Sequence, residues 1–147
     1  MRTGKLRTLR GRMEYVNGQS RYKRQLILDD GRLNIGYRVL SFRCWPQDYD
    51  EGMTFQANLS TQESGTDQLD AGNSAQIAWY LGNYYLNIVP GVIDPEHVVT
   101  TNMFLRIKQN VDYQGINYLI EMEEVFLTDD EAIITIIKND GQDLEDI

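Results

Sequence analysis

The chain has 147 residues, a formal net charge of −8 at pH 7 and 41% apolar residues. This length fits one domain with a single hydrophobic core, and the apolar fraction excludes an intrinsically disordered protein. No apolar run approaches the ~20 residues of a membrane-spanning helix, and the first residues lack the apolar segment of a signal peptide, so we expect cytoplasmic synthesis and no membrane contact.

Charge divides the chain into two parts. Residues 1–43 carry eleven basic and three acidic side chains, a net charge of +8, whereas residues 44–147 carry three basic and nineteen acidic side chains, a net charge of −16. Three alternatives explain this complementarity: basic strands that pair with acidic strands of the same sheet, contact with an acidic neighbouring subunit, or contact with nucleic acid.

Residues 1–12 predict an extended basic arm ahead of a single domain over residues 13–147. The segment alternates basic with small or apolar residues, which favours an extended conformation over a helix. Its few apolar side chains offset little of the entropy cost of ordering, so we expect the arm to order against a neighbouring subunit or against nucleic acid. The contact residues would be Arg2, Lys5, Arg7, Arg10 and Arg12.

Short strands and turns are predicted next. Asn17-Gly18 is the strongest two-residue hairpin signal, and it predicts that residues 12–16 pair with a return strand over residues 21–28. A long strand is predicted from residue 33 to Trp45, with Gly36 as a bulge and Pro46 as its end.

Residues 53–60 alternate apolar and polar side chains, which predicts a half-buried strand. The polar residues 60–74 predict an exposed loop that faces solvent or a partner. Residues 76–85 are densely aromatic and are interrupted by Gly82-Asn83, a second hairpin signal. We expect Trp79 and its neighbours to fill the core; exposed, they would form an aromatic interface of Trp79, Tyr80, Tyr84 and Tyr85.

Residues 94–97 predict a turn, and residues 98–107 predict one more strand. The stretch 116–139 then joins a strand to a short helix. Alternation from residue 116 predicts one buried strand face, and it slips at Glu123-Glu124, where the strand ends or bulges. Residues 128–131, Thr-Asp-Asp-Glu, match a capping box. The helix is expected to pack on the sheet through Ile133, Ile136 and Ile137.

Together these elements predict an all-β fold. It would be an antiparallel two-sheet sandwich or jelly roll with an extended basic N-terminal arm and one short C-terminal helix.

Residues with the chemistry of catalysis or metal binding are sparse. Cys44 is the only cysteine, which excludes an internal disulfide, and we expect it to be buried. His97 is the only histidine and has no second His or Cys nearby to complete a zinc site. We therefore expect no catalytic residue, no metal, no cofactor and no small-molecule substrate. A solvated acidic surface that a partner could contact is expected from Glu121, Glu123, Glu124, Asp129 and Asp130.

Three segments carry a resemblance to a known class of proteins: IAWYLGNYY from Ile77, VIDPEHVVTTNMFLRI from Val92 and INYLIEMEEVFLTDDEAIITIIK from Ile116. Together they resemble small, uncharacterised virion proteins of bacteriophages and environmental viruses. The resemblance implies a non-enzymatic, capsid-associated role in the virion: a decoration or cement protein, a coat-type jelly roll, or a connector or spike piece. The partners it implies are copies of the chain and other virion proteins.

A second class of function remains open. A ligand- or carbohydrate-binding β-sandwich, such as a receptor-binding spike module, is suggested by the tyrosines and Trp79. Oligomeric mass separates the two, because a structural subunit forms a symmetric oligomer or particle without a small ligand.

Overall fold

The computed structural model describes residues 2–14, 21–28, 32, 34–47, 53–63, 65–83, 87–100, 102–110 and 115–135. It confirms the two-sheet, all-β architecture. The strands in these residues are β1 (Arg2–Met13), β2 (Arg21–Ile27), β3 (Ile35–Pro46), β4 (Thr54–Ser60), β5 (Gln76–Asn83), β6 (Asn87–Ile93), β7 (Val98–Val99), β8 (Asn102–Gln109) and β9 (Ile116–Phe126). A helix, α1, follows over residues 129–135.

The strands form two antiparallel sheets. The four-stranded sheet has the order β1-β9-β3-β7, and the five-stranded sheet has the order β2-β8-β4-β5-β6. β1 is therefore an edge strand of the first sheet, and β2 and β6 are the edge strands of the second.

The core lies between the sheets. On β9, Ile120 and Met122 are fully buried, as the alternation in the sequence predicts for the inner face. From the opposite sheet, Phe55 and Tyr80 stack with ring centroids 5.6 Å apart, and Tyr80 meets Phe42 of β3 edge-on at 6.5 Å. Tyr80 is thus a core residue, and aromatic pairing adds to the area it buries.

β6 of the five-stranded sheet passes close to β3 of the four-stranded sheet at Gly91. Gly91 has a φ of +84°, and a Cβ atom there would lie 2.1 Å from the carbonyl oxygen of Phe42. Only glycine combines this backbone conformation with this spacing.

The segment predicted as a free arm is strand β1. It pairs with β9 from Arg2, opposite Phe126, to Met13, opposite Ile116. The expectation that residues 1–12 lie apart from the domain and order only on a partner is corrected by this pairing. A ladder uses backbone N–H and C=O groups, so it can hold a segment that has few apolar side chains.

The predicted hairpin at Asn17-Gly18 is also corrected. β1 pairs with β9 in the four-stranded sheet, whereas β2 pairs with β8 in the five-stranded sheet. The chain thus passes from one sheet to the other between residues 13 and 21, and the dipeptide itself lies outside the described residues. A local turn signal does not specify which strand becomes the partner.

The irregularities predicted within β9 and at Gly36 lie elsewhere. The alternation of β9 continues through Glu123-Glu124 to Phe126, and Gly36 pairs regularly with Val125. The register shifts occur in the neighbours of β9, between Val39 and Ser41 of β3 and between Thr3 and Leu6 of β1. Bulges in both partners accommodate β9, which stays regular.

The strand predicted over residues 98–107 is two strands. β7 pairs with β3 in one sheet, and β8 pairs with β2 and β4 in the other. An unbroken apolar pattern does not show where a chain changes sheets.

The capping box of α1 is confirmed. The Glu131 amide donates to the Thr128 hydroxyl, and the Thr128 amide donates to the Glu131 carboxylate, both at 3.2 Å. Ala132 is buried in a small cluster with Val98, Val125 and Leu127 on the outer face of the four-stranded sheet.

The predicted apolar face of α1 is corrected at Ile133. Its side chain is 57% exposed. One helical step rotates a residue by about 100°, so docking through Ala132 turns Ile133 towards solvent. Ile136 and Ile137 lie outside the described residues.

Candidate functional site

The edge strands β1 and β2, from different sheets, lie on the same side of the sandwich. Arg7 of β1 donates to the carbonyl of Leu28, directly after β2, at 3.3 Å. Arg24 of β2 donates to the Tyr118 hydroxyl at 3.2 Å, and this phenol also lies against Gly11 of β1. We call the basic residues of this side the basic edge: Lys5, Arg7, Arg10, Arg12, Arg21, Lys23 and Arg24.

The basic edge is only partly compensated. Ion pairs of its residues among those described are Arg12–Glu14 at 2.5 Å, Arg21–Asp67 at 3.4 Å and Lys23–Glu63 at 3.9 Å. Five of the six side chains in these pairs are exposed and Asp67 is half-buried, and such surface pairs contribute ~0–1 kcal/mol each. Arg10 is exposed and has neither an ion pair nor a side-chain hydrogen bond within the described residues. Positive charge therefore remains available along β1.

β1 is held mainly by its backbone. Among its described side chains, Met13 is buried and Leu9 packs half-buried against the core, whereas Leu6 is 75% exposed. A backbone hydrogen bond contributes a net ~0.5–1.5 kcal/mol, while ordering each residue costs ~1–2 kcal/mol. These opposing terms are of similar size, so β1 is less stably held than the inner strands. At the start of β1, Arg2 pairs with Phe126 of β9.

Three of the five acids of the predicted acidic surface lie on β9, and they are divided between its two faces. Glu123 faces outward and pairs with Arg38 at 3.3 Å. Glu124 faces inward, its side chain is 10% exposed, and it pairs with Arg32 at 2.9 Å. These two pairs show that part of the charge complementarity is satisfied within the chain.

The pKa of Glu124 is lowered chiefly by the hydrogen bond from Arg32. Desolvation opposes this, and the backbone N–H of Lys5, which donates to the carboxylate at 3.4 Å, supports it. Both the Arg32 bond and the Lys5 bond favour the charged form. Glu124 is therefore an anchor for the start of β1 rather than a solvated surface acid.

The other predicted acids are more accessible. Glu121 is exposed and has no ion pair among the described residues. Asp129 and Asp130 lie in the first turn of α1, where the helix dipole favours acids, and Asp129 accepts a hydrogen bond from Asn34 at 2.6 Å. The structure thus does not bring the five acids together as one surface.

The outer face of the four-stranded sheet exposes two residues that the sequence analysis did not assign to a site, Arg43 and Trp45. Arg10, Leu119 and Arg43 stand side by side across β1, β9 and β3. Trp45, 41% exposed, lies two residues beyond Arg43 on the same face. Arg43 and Trp45 were predicted only as strand residues, because the alternation of a strand does not reveal which strands lie beside it.

The predicted aromatic interface is only partly described. Tyr80 belongs to the core, which excludes it from an interface. Trp79 is half-buried on the outer face of the five-stranded sheet, where its indole N–H donates to Gln76 at 2.8 Å. Tyr84 and Tyr85 lie outside the described residues.

The polar segment predicted as an exposed loop covers the outer face of the five-stranded sheet. Arg106 of β8 is 5% exposed and donates to the backbone carbonyls of Gln62, at 3.0 Å, and Glu63. Asn58 of β4 donates to the carbonyl of Thr66 at 3.2 Å. The segment is thus fixed to the sheet by side chains of the strands.

A shallow groove of ≈ 420 Å³ lies between this segment and β2. It is lined by Arg21, Tyr22, Lys23, Glu63, Gly65, Asp67 and Arg106. Its lining mixes both signs of charge.

Other reactive groups form no recognisable site within the described residues. Burial raises the pKa of the Cys44 thiol well above its usual range, so the thiolate is not formed. No three His, Cys, Asp or Glu side chains converge on a metal position in the part of the chain that is described. No helix there has the length and apolar composition needed to cross a bilayer.

Comparisons with known proteins do not indicate a function for this chain. The chain matches no protein-family model, no curated protein sequence and no solved structure.

Proposed function

We propose that this protein is a non-enzymatic structural subunit that acts by binding other subunits through its basic edge. The observation that carries the proposal is Arg10: an exposed cation that has no ion pair among the described residues and lies on an edge strand without any acidic residue. Uncompensated charge on a surface favours partners of opposite charge and raises their rate of association.

The chain itself supplies a partner of the required charge. Residues 44–147 carry a net charge of −16, and Glu121 is exposed and unpaired among the described residues. A second copy therefore offers exposed acidic side chains to the basic edge of the first. This supports self-association more directly than binding to nucleic acid.

The setting we propose is a virion. The resemblance to small virion proteins supports it, and so does a β-sandwich with a charged, uncovered edge strand, which is suited to tiling with neighbours. A decoration or cement protein, or a coat-type sandwich, would use the edge in this way, with copies of the chain and other virion proteins as partners.

Mass measured in solution tests the proposal. Light scattering over a range of protein concentrations, without added ligand, should show a defined oligomer or particle that dissociates as salt is raised, because salt screens charges over ~10 Å at 0.1 M. A monomer at every concentration would contradict it. Association that requires added nucleic acid would show that the partner is nucleic acid.

A second candidate, binding of a small ligand or carbohydrate, is favoured by the groove beside β2. Its cations, Arg21 and Lys23, would suit an acidic sugar, and Tyr22 supplies an aromatic side chain. An array of neutral and acidic glycans tests this candidate, and binding that is lost in Lys23→Glu but retained in Arg43→Glu would support it.

A further inference from the structure

The surface of β9 that receives β1 is fitted to the sequence of β1. A Cβ atom at Gly4 would lie 2.7 Å from the Phe126 ring, and one at Gly11 would lie 2.8 Å from the Tyr118 hydroxyl. A side chain at either position would require the Phe126 or Tyr118 ring to move. The site therefore favours a strand with glycines seven residues apart, which β1 has.

β1 carries its own means of attachment. Its ladder runs to β9 along one side, and of its described side chains Met13 is buried and Leu9 packs half-buried against the core. The Lys5 amide donates to Glu124, and Arg7 donates to the Leu28 carbonyl. Every group that β1 contacts exists in the same arrangement on any other copy of the chain.

Charge determines how two copies can meet. β1 contains five basic residues, Arg2, Lys5, Arg7, Arg10 and Arg12, and no acid, so two β1 edges placed side by side would bring like charges together. On β9, Glu121 is exposed and has no ion pair among the described residues, whereas Glu123 and Glu124 are paired with Arg38 and Arg32 of their own chain. Repulsion therefore disfavours association through two exposed β1 edges, and it leaves the side of β9 that pairs with β1 as the position that a strand of a second copy can fill.

We propose that β1 is exchanged between copies in the assembled protein, so that β1 of one subunit completes the four-stranded sheet of its neighbour. Exchange preserves the whole β1–β9 ladder and creates no new contact surface, which makes it a low-cost route to association. The inference rests on the proposed function, since it specifies that subunits associate through β1 and the side of β9 that pairs with it.

Engineered disulfides distinguish exchange from simple contact. Arg12 and Asn117 are opposite neighbours on β1 and β9, and cysteines at such positions have Cα atoms within the ~4.4–6.8 Å that a disulfide requires. The test variant is Arg12→Cys with Asn117→Cys. The control is Trp45→Cys with Asn117→Cys, which joins β3 to β9 and stays within one chain whether or not β1 is exchanged.

Both variants are assembled, oxidised, denatured without reductant and separated by mass. Exchange predicts covalent dimers or longer chains for the β1–β9 pair and single chains for the β3–β9 pair. Single chains from both pairs in assembled material would overturn the exchange while leaving the proposed function intact. If neither variant nor the unmodified protein assembles at any concentration, the proposed function fails and the exchange fails with it.

Discussion

Arg32 donates a 2.9 Å hydrogen bond to the carboxylate of Glu124, whose side chain is 10% exposed at the border of the core. The bond connects the segment before β3 to the central strand of the four-stranded sheet. Through the same carboxylate, β9 also holds the amide of Lys5 in β1. One acid thus joins three segments that are distant in sequence.

The Arg32–Glu124 pair predicts how stability depends on pH. Because the folded state lowers the pKa of Glu124, its contribution is fully present above the unfolded value of about 4.5 and is lost as the pH falls through the folded pKa. Melting temperatures from pH 7 to pH 3 should fall less steeply for Glu124→Gln than for the unmodified protein. Glu121→Gln, on the exposed face of the same strand, should show the same dependence of melting temperature on pH as the unmodified protein. If the melting temperature of Glu121→Gln also falls less steeply, the acid sensitivity does not arise from the Arg32–Glu124 pair.

The helix α1 gives a matched pair of neighbouring substitutions. Ala132→Asp places a charge in the cluster of Val98, Val125 and Leu127 and should lower the unfolding free energy by at least ~2 kcal/mol. Ile133→Asp, at a 57% exposed position, should change it by no more than ~0.5 kcal/mol. Urea unfolding measures both, and the reverse order would show that α1 docks through the isoleucine face.

The capping box should make a smaller contribution. Thr128→Ala removes the acceptor of the Glu131 amide and should cost ~1 kcal/mol. The same urea titrations compare it with Ala132→Asp, and a larger loss for the cap variant would mean that α1 depends on its own hydrogen bonds more than on docking.

How far the sequence predicted these features depended on whether the signal was local. The inner face of β9 and the capping box are patterns within one element, and both were predicted correctly. The buried face of α1 was predicted wrongly at Ile133. The spacing of the isoleucines indicated an apolar helix face, but the helix packs on the sheet through Ala132. The hairpin at Asn17-Gly18 failed because strand pairing is decided by distant partners, here β9 and β8.

The candidate site was predictable in its charges and not in its arrangement. The basic residues of β1 were identified from composition, but their pairing with β9 and their position beside β2 follow from the topology. Arg43 and Trp45 join the same surface only because β3 is the other neighbour of β9. The burial of Arg106 could not be predicted, since it requires the polar segment to fold back over β8.

Arg106 predicts which side chain fixes that polar segment. Arg106→Met leaves the carbonyls of Gln62 and Glu63 without their charged donor and should lower the free energy of unfolding by ~1.5–3 kcal/mol. Lys108→Met, at an exposed position of the same strand, is the control and should be nearly neutral. A Gly/Ser replacement of residues 63–70 keeps the backbone carbonyls, so its melting temperature should fall by only a few degrees. Equal losses for Arg106→Met and Lys108→Met in thermal unfolding would contradict this account.

Charge reversal at one residue tests most directly whether the basic edge drives association. Arg10 and Arg43 are exposed, unpaired among the described residues and separated only by Leu119, but only Arg10 lies on the edge strand. Sedimentation velocity at low and high salt should show that Arg10→Glu weakens self-association at least ~10-fold, the effect of ~1.4 kcal/mol, at low salt. Arg43→Glu should associate like the unmodified protein. Equal association of all three proteins at low salt would contradict the claim.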